Sequence, residues 1–376
     1  MTVGLKDGLK LLGIAVMSGC AVFVCTFFLN FYLDALAVRD AVSAELMPLY
    51  EAQLLTAKLV CAISGGCLLA VSVVLLAFYV KLYVDAHARQ LGLLKAMGYS
   101  DLRIAVGFRV FGSSVLVGCA VGFGGGYAVS PLIYDVMGDG GLPEIPLTFH
   151  GELLALLVLL PAAAFSALAV LAALLRLRPS ALSLMRGRET ISGGGRAGSP
   201  DRPFLRELRA ATLKSKKSLV FFVAFASFCF ASMMQMSFSM RDYANEIMGA
   251  IIFCIGIVLT GTALILAFTS LAAANARTVA VMKAHGYTLA ECGRAVLGGY
   301  RIPAYCGFAV GTAYQYGLMK LMIDTIFRDM PDVPAYRFET VVFLIVLAVF
   351  AVLFELATGY FTLRMGKTSA RVFAAE

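Results

Sequence analysis

AHARQLGLLKAMGYS, residues 86–100, returns 188 positions later as ANARTVAVMKAHGYT, residues 274–288, without a gap. Seven of the fifteen positions are identical: Ala86/Ala274, Ala88/Ala276, Arg89/Arg277, Lys95/Lys283, Ala96/Ala284, Gly98/Gly286 and Tyr99/Tyr287. Leu94/Met282 and Ser100/Thr288 are conservative pairs. After a shift of one residue the match continues, with GCAVG at 118–122 over GFAVG at 307–311 and Tyr127 over Tyr316. Self-similarity at a fixed offset marks a duplicated structural unit.

What flanks the two copies decides the fold class. Of 376 residues, 60% are apolar and 14% charged, and the mean hydropathy is +0.87. Soluble domains carry about 25% charged residues, so most of this apolar surface needs lipid as its solvent. Eight stretches are long enough to cross a hydrocarbon core of about 30 Å: 11–33, 54–82, 105–133, 151–176, 218–240, 249–274, 295–325 and 339–363. The expected fold is therefore an all-α integral membrane protein, with eight transmembrane helices in two four-helix repeats. Four spans separate equivalent points, an even number, so the repeats run parallel and are related by an axis along the membrane normal. The first stretch is too long for a cleavable signal, whose apolar region is about 7–15 residues, and reads as a retained span.

The net charge of +8 has a local explanation. With both termini inside, the inner segments hold 23 of the 31 Lys and Arg residues, and the outer loops hold Arg39, Arg241, Arg328 and Arg337. This bias sets the orientation and accounts for the charge without nucleic acid. The chain divides into a first module (1–178), a cytoplasmic linker (179–217) with a Ser/Gly/Pro centre at 192–200, and a second module (218–376).

Catalytic, cofactor and metal motifs are not expected. The nine cysteines form no CxxC pair and mostly sit in apolar runs, where they read as small hydrophobes. MGKT at 365–368 imitates the end of a phosphate-binding loop, but Phe361 stands where that loop needs its first glycine. Gly122–Tyr127, GFGGGY, falls inside a span, where small residues let helices approach closely. Three ionisable residues lie within spans and are functional candidates by position: Arg109, Arg301 and Glu355. Both arginines lie near the inner face and are expected to snorkel to it; Glu355 is expected to pair with a neighbouring group, with proton coupling the alternative.

The repeated segment has helical spacing at Leu91, Leu94 and Lys95, and Gly98 can end that helix. One such helix could simply rest on lipid headgroups. Two copies that keep the same Arg, Lys, Gly and Tyr point to a specific protein contact.

On these residues the chain resembles the FtsX/MacB-type, or type VII, permeases of ABC transporters. The likeness covers about 57–178 and 250–366, each repeat segment lying between a second and a third span with a glycine-rich span after it. The family carries a coupling helix at that point, seated in a groove of the ATPase subunit. By that resemblance, Arg89, Leu91, Leu94, Lys95, Gly98 and Tyr99 in the first copy would couple to an ATPase, as would Arg277, Val279, Met282, Lys283, Gly286 and Tyr287 in the second. The central apolar residues would be the anchors. The resemblance implies a bacterial inner-membrane subunit that binds two copies of a cytoplasmic ABC ATPase, with ATP and Mg held by that partner. It would move or extract a lipophilic or peptidic substrate, or transmit motion across the membrane. The family's large extracellular domain is missing, because the outer loops are only about 8–20 residues long; an extracellular or lipoprotein partner would have to supply its role. Two other readings compete: a secondary transporter driven by an ion gradient, and a sensor acting on a kinase or cell-wall hydrolase.

Overall fold

The computed structural model describes residues 5–43, 46–138, 145–182, 204–243, 246–326 and 336–373. The chain forms two compact units, 1–191 with 322–334 and 192–321 with 335–376. Among the described residues the regular structure is helical throughout. In lipid every backbone N–H and C=O must find a partner within its own segment, and an apolar helix does this.

In the first half, α1 (Leu5–Ala37), α2 (Met47–Ala86), α5 (Val110–Gly138) and α6 (Gly151–Leu177) form a bundle. Helix α1 packs on α2 and α5, and α6 covers α2 and α5. Two short helices join α2 to α5: α3 (Ala88–Ala96) and α4 (Asp101–Val106). The second half begins with α7 (Phe204–Ser215) and continues with α8 (Lys217–Tyr243), α9 (Glu246–Ala284), α10 (Leu289–Val296), α11 (Arg301–Ile326) and α12 (Thr340–Phe373).

Six described helices are long and apolar enough to cross a membrane: Leu12–Ala37, Asp101–Leu132, Gly151–Leu177, Leu219–Arg241, Gly249–Ala276 and Thr340–Met365. The chain is thus a multi-pass membrane protein. The other two expected spans, 54–82 and 295–325, fall on α2 and on α10 with α11. The expected third span of each half is broken near its start in the same way: a 3₁₀ turn, Gly107–Arg109 or Gly298–Tyr300, separates the short helix from the long one. The linker centre at 192–200 lies outside the described residues.

Close backbone approach builds both bundles, and glycine makes it possible. A Cβ added at Gly118 would sit 2.1 Å from the Ala15 carbonyl oxygen, and one at Gly122 would sit 2.1 Å from that of Gly19. In the second half, a Cβ added at Gly307 would sit 2.0 Å from the Ala224 oxygen, and one at Gly311 would sit 2.5 Å from that of Phe228. The glycines are 189 apart (118 to 307, 122 to 311) and their partners 209 apart (15 to 224, 19 to 228). Equal offsets at two successive turns put α1 and α8 in one register, in which AVMSGC at 15–20 lies over AFASFC at 224–229 with Ala15/Ala224, Ser18/Ser227 and Cys20/Cys229 identical.

Candidate functional site

Each repeated segment folds into an elbow. In the first, α3 ends at Ala96 and Gly98 takes φ +89°; in the second, α9 ends at Ala284 and Gly286 takes φ +86°. These are the only positive-φ residues among those described. The Tyr99 N–H donates to Leu94 O (3.2 Å) and the Gly98 N–H to Lys95 O (3.1 Å). Tyr287 and Gly286 donate in the same way to Met282 O (3.2 Å) and Lys283 O (3.0 Å). This is the Schellman stop, whose left-handed residue is tolerated best by glycine.

The next helix starts at once. Ser100 caps α4 by accepting the Arg103 N–H at 3.3 Å. Thr288 caps α10 in a full capping box: its hydroxyl accepts the Glu291 N–H (3.4 Å), and the Glu291 carboxylate accepts the Thr288 N–H (2.9 Å). The backbone and side-chain hydrogen bonds from Thr288 hold the Glu291 carboxyl below its usual range.

The elbows are braced differently. Lys95 pairs with Asp101 (2.8 Å) and donates to the Leu177 and Pro179 carbonyls (2.8 and 3.0 Å), which ties the first elbow to the C-terminal end of α6. A cation at that helix end also meets the negative end of the dipole. In the second half α7 lies against α10 and the turn after it, with Arg209 and Leu213 beside Gly299. Lys216 then donates to the Ala274 carbonyl (2.5 Å) and to Asn275 Oδ1 (2.6 Å). Burial lowers the Lys216 ammonium below the ordinary lysine range.

Several expected coupling residues face inward. Leu91, Val279 and Met282 are buried within their own halves, and Leu94 is half-buried. Arg89 and Tyr99 are exposed, Lys283 and Tyr287 are half-buried, and the Arg277 side chain lies outside the described set. The large apolar side chains that face outward are Leu93, Met97 and Leu102 in the first elbow and Val281 in the second. Helical spacing groups residues onto one face but cannot tell which face is already covered.

The intramembrane candidates also resolve. Arg109 is exposed on its 3₁₀ turn. Arg301 is not its equivalent: at the 189 offset it falls on Gly112. Instead of snorkelling alone, Arg301 donates to Glu355 at 2.5 Å. At the same offset Glu355 falls on Ser166, the residue that Gly112 touches, where an added Cβ would lie 1.7 Å from the Ser166 hydroxyl. Met365–Thr368 lies within α12 and Gly122–Tyr127 within α5.

At the opposite end, the loop end, the first half holds a buried carboxylate that sequence reasoning missed. Asp34, at the end of α1, accepts from Asn30 (2.9 Å), Tyr134 (2.7 Å), the Thr148 N–H (3.2 Å), the Thr148 hydroxyl and His150 Nε2 (2.9 Å). Tyr127 donates to Asn30 (2.6 Å) and packs its ring at a tilt against Phe149. The second half has a neutral counterpart: Gln315 donates to Ser239 (3.0 Å) and Tyr336 (2.9 Å), Gln235 donates to Thr312 (2.8 Å), and Tyr316 meets Phe338 edge to face. Tyr127/Tyr316 and Phe149/Phe338 keep the 189 offset.

Comparison with known proteins gives one match. The FtsX-like permease C-terminal family matches residues 62–181 and 250–370, one copy in each half, and each copy contains one elbow. No curated protein and no solved structure is similar enough to match.

Proposed function

Because the chain belongs to the FtsX-like permease family, we propose that it is the membrane subunit of an ABC system and that its two elbows couple it to separate ATPase subunits. The observation that carries this reading is the duplicated Schellman stop with an immediate N-cap, in register at Gly98 and Gly286. A helix that ends abruptly on a fixed turn and restarts after four residues presents a rigid knob, which suits a partner's cleft better than a headgroup layer. In this reading the chain crosses a bacterial plasma membrane eight times, so that both elbows, the linker and both termini face the cytoplasm, the side where ATP is found. With two elbows on one chain, two ATPase copies bind one permease. Their hydrolysis drives movement or extraction of a lipophilic or peptidic substrate, or is passed across the membrane as motion. The competing ion-gradient reading rested on Glu355, and that carboxylate is taken up by Arg301.

The test is photocrosslinking in cells. A photoreactive phenylalanine analogue replaces Tyr99 or Tyr287, with Phe149 at the loop end as control. Both elbow positions are expected to capture an ABC ATPase and the control none. A chain that crosslinks to no ATPase from either elbow refutes the reading.

A further inference from the structure

Resting on the ATPase reading above, we propose that the two elbows grip their ATPases unequally, the first as the anchor and the second as the weakly held arm. The elbows can be compared position by position, because their buried rows coincide at the 188 offset. Leu91/Val279, Ile104/Cys292 and Phe108/Val296 are all buried. The outward rows therefore occupy matching places, and their chemistry differs. In the first elbow the outward row is Leu93 (52% exposed), Met97 (59%), Tyr99 (42%) and Leu102 (62%). The matching residues of the second are Val281 (47%), an exposed His285, a half-buried Tyr287 and an exposed Ala290.

Leu93 and Met97 are one turn apart and share a face. Tyr99 is held beside them by Arg103, whose guanidinium lies 5.2 Å from the ring centre. This apolar patch has exposed Arg89 and Arg103 at its rim, which matches an apolar cleft edged with carboxylates. Such desolvated apolar anchors carry most of the energy of an interface, and the rim charges mainly steer.

Lipid is the other possible cover for an apolar patch. The second elbow argues against it, because its matching surface carries His285, Ala290, Arg294 and the Thr288–Glu291 box. This level of the fold does not demand apolar side chains. Two identical ATPases would offer the same cleft to both elbows, so any difference in grip originates in this chain.

The experiment places the full chain in nanodiscs and titrates it with ABC ATPases of the same cell, purified and added one at a time. Leu93→Asp and Leu93→Gln each replace a side chain that is already exposed, and a melting curve confirms that the variants fold. Either is expected to weaken ATPase binding about thirtyfold, whereas Val281→Asp weakens it less than about fivefold. Equal losses, or a larger loss at Val281, overturn the inequality and leave coupling intact. Binding that no elbow variant changes, or no binding by any ATPase, overturns both. A solvatochromic dye on Met97→Cys, in the absence of ATPase, is expected to report water; emission typical of hydrocarbon also overturns the proposal.

Discussion

At the loop end the first half gathers its donors around a carboxylate, and the second half gathers its polar groups around an amide. Asp34 draws Asn30, Tyr134, Thr148 and His150 onto two oxygens. Gln315 instead donates to Ser239 and Tyr336. Yet the same aromatic pairs lie beside them, Tyr127 with Phe149 and Tyr316 with Phe338, the first tilted at 43° and the second edge-on at 71°. The backbone contacts beneath, through Gly118 and Gly307, are also the same. Duplication has therefore kept the helix–helix approach fixed and let the polar fastenings diverge. Close approach admits one solution, because any Cβ collides with a carbonyl. A buried polar cluster admits many solutions, provided every donor and acceptor is satisfied.

The sharpest way to break this comparison is at the shared contacts. Gly118→Val and Gly307→Val are expected to destabilise by more than about 3 kcal/mol each, and by similar amounts. A thermal or steric-trapping measurement of folding in lipid checks it, and a mild effect in one half would show that the halves are not built alike. The divergent clusters should respond unequally. Asp34→Asn strips the charge from a carboxylate with several donors and is expected to cost about 2–3 kcal/mol. Ser239→Ala, which removes one neutral partner, should cost about 1 kcal/mol. Equal losses in the same assay would mean that the carboxylate adds nothing beyond a neutral network.

The smallest effect lies in the caps. The folded-state carboxyl of Glu291 titrates below its unfolded value. Its contribution is therefore complete above the ordinary glutamate range, about 4.3, and is lost as pH falls through the lowered folded value. Hydrogen exchange in the first turn of α10 should accelerate relative to its intrinsic rate across that window, and Glu291→Gln should abolish the dependence. In the first half Arg103 occupies the matching position beside the Ser100 cap, so α4 should show no such step. A step there would remove the distinction.

Much of this could be read in the sequence, and the reasons are physical. The elbows were legible because a left-handed helix stop followed by an N-cap needs particular residues, Gly98-Tyr99-Ser100 and Gly286-Tyr287-Thr288, and such needs survive divergence. The family followed from them. The register of α1 on α8 is hard to read, because its offset of 209 differs from that of the main repeat and it keeps only Ala15/Ala224, Ser18/Ser227 and Cys20/Cys229, while Gly19 gives way to Phe228. Their shared duty falls mainly on the backbone, which leaves little trace in side-chain type. Asp34 was passed over because its partners Thr148 and His150 are more than a hundred residues away. A lone Asp near a span end looks like an interfacial residue. Leu91, Val279 and Met282 were assigned as docking anchors because apolar spacing carries no sign of direction; their own bundles claim them first.

One property of the elbows has a mechanical meaning. Apart from the glycine and its chain neighbours, no described atom lies within 4 Å of where a Cβ would stand at Gly98 or Gly286. The bend at each joint is therefore set by a backbone dihedral and its two hydrogen bonds rather than by packing against the glycine, and the side-chain braces, such as Lys95 on Asp101, hold the arms on either side of it. A bracket of this kind keeps its shape whether or not it is loaded. A push received on one arm reaches the other across four residues, with little slack to absorb it. The surface around such a joint can change freely, residue by residue, while the stroke it delivers stays the same length.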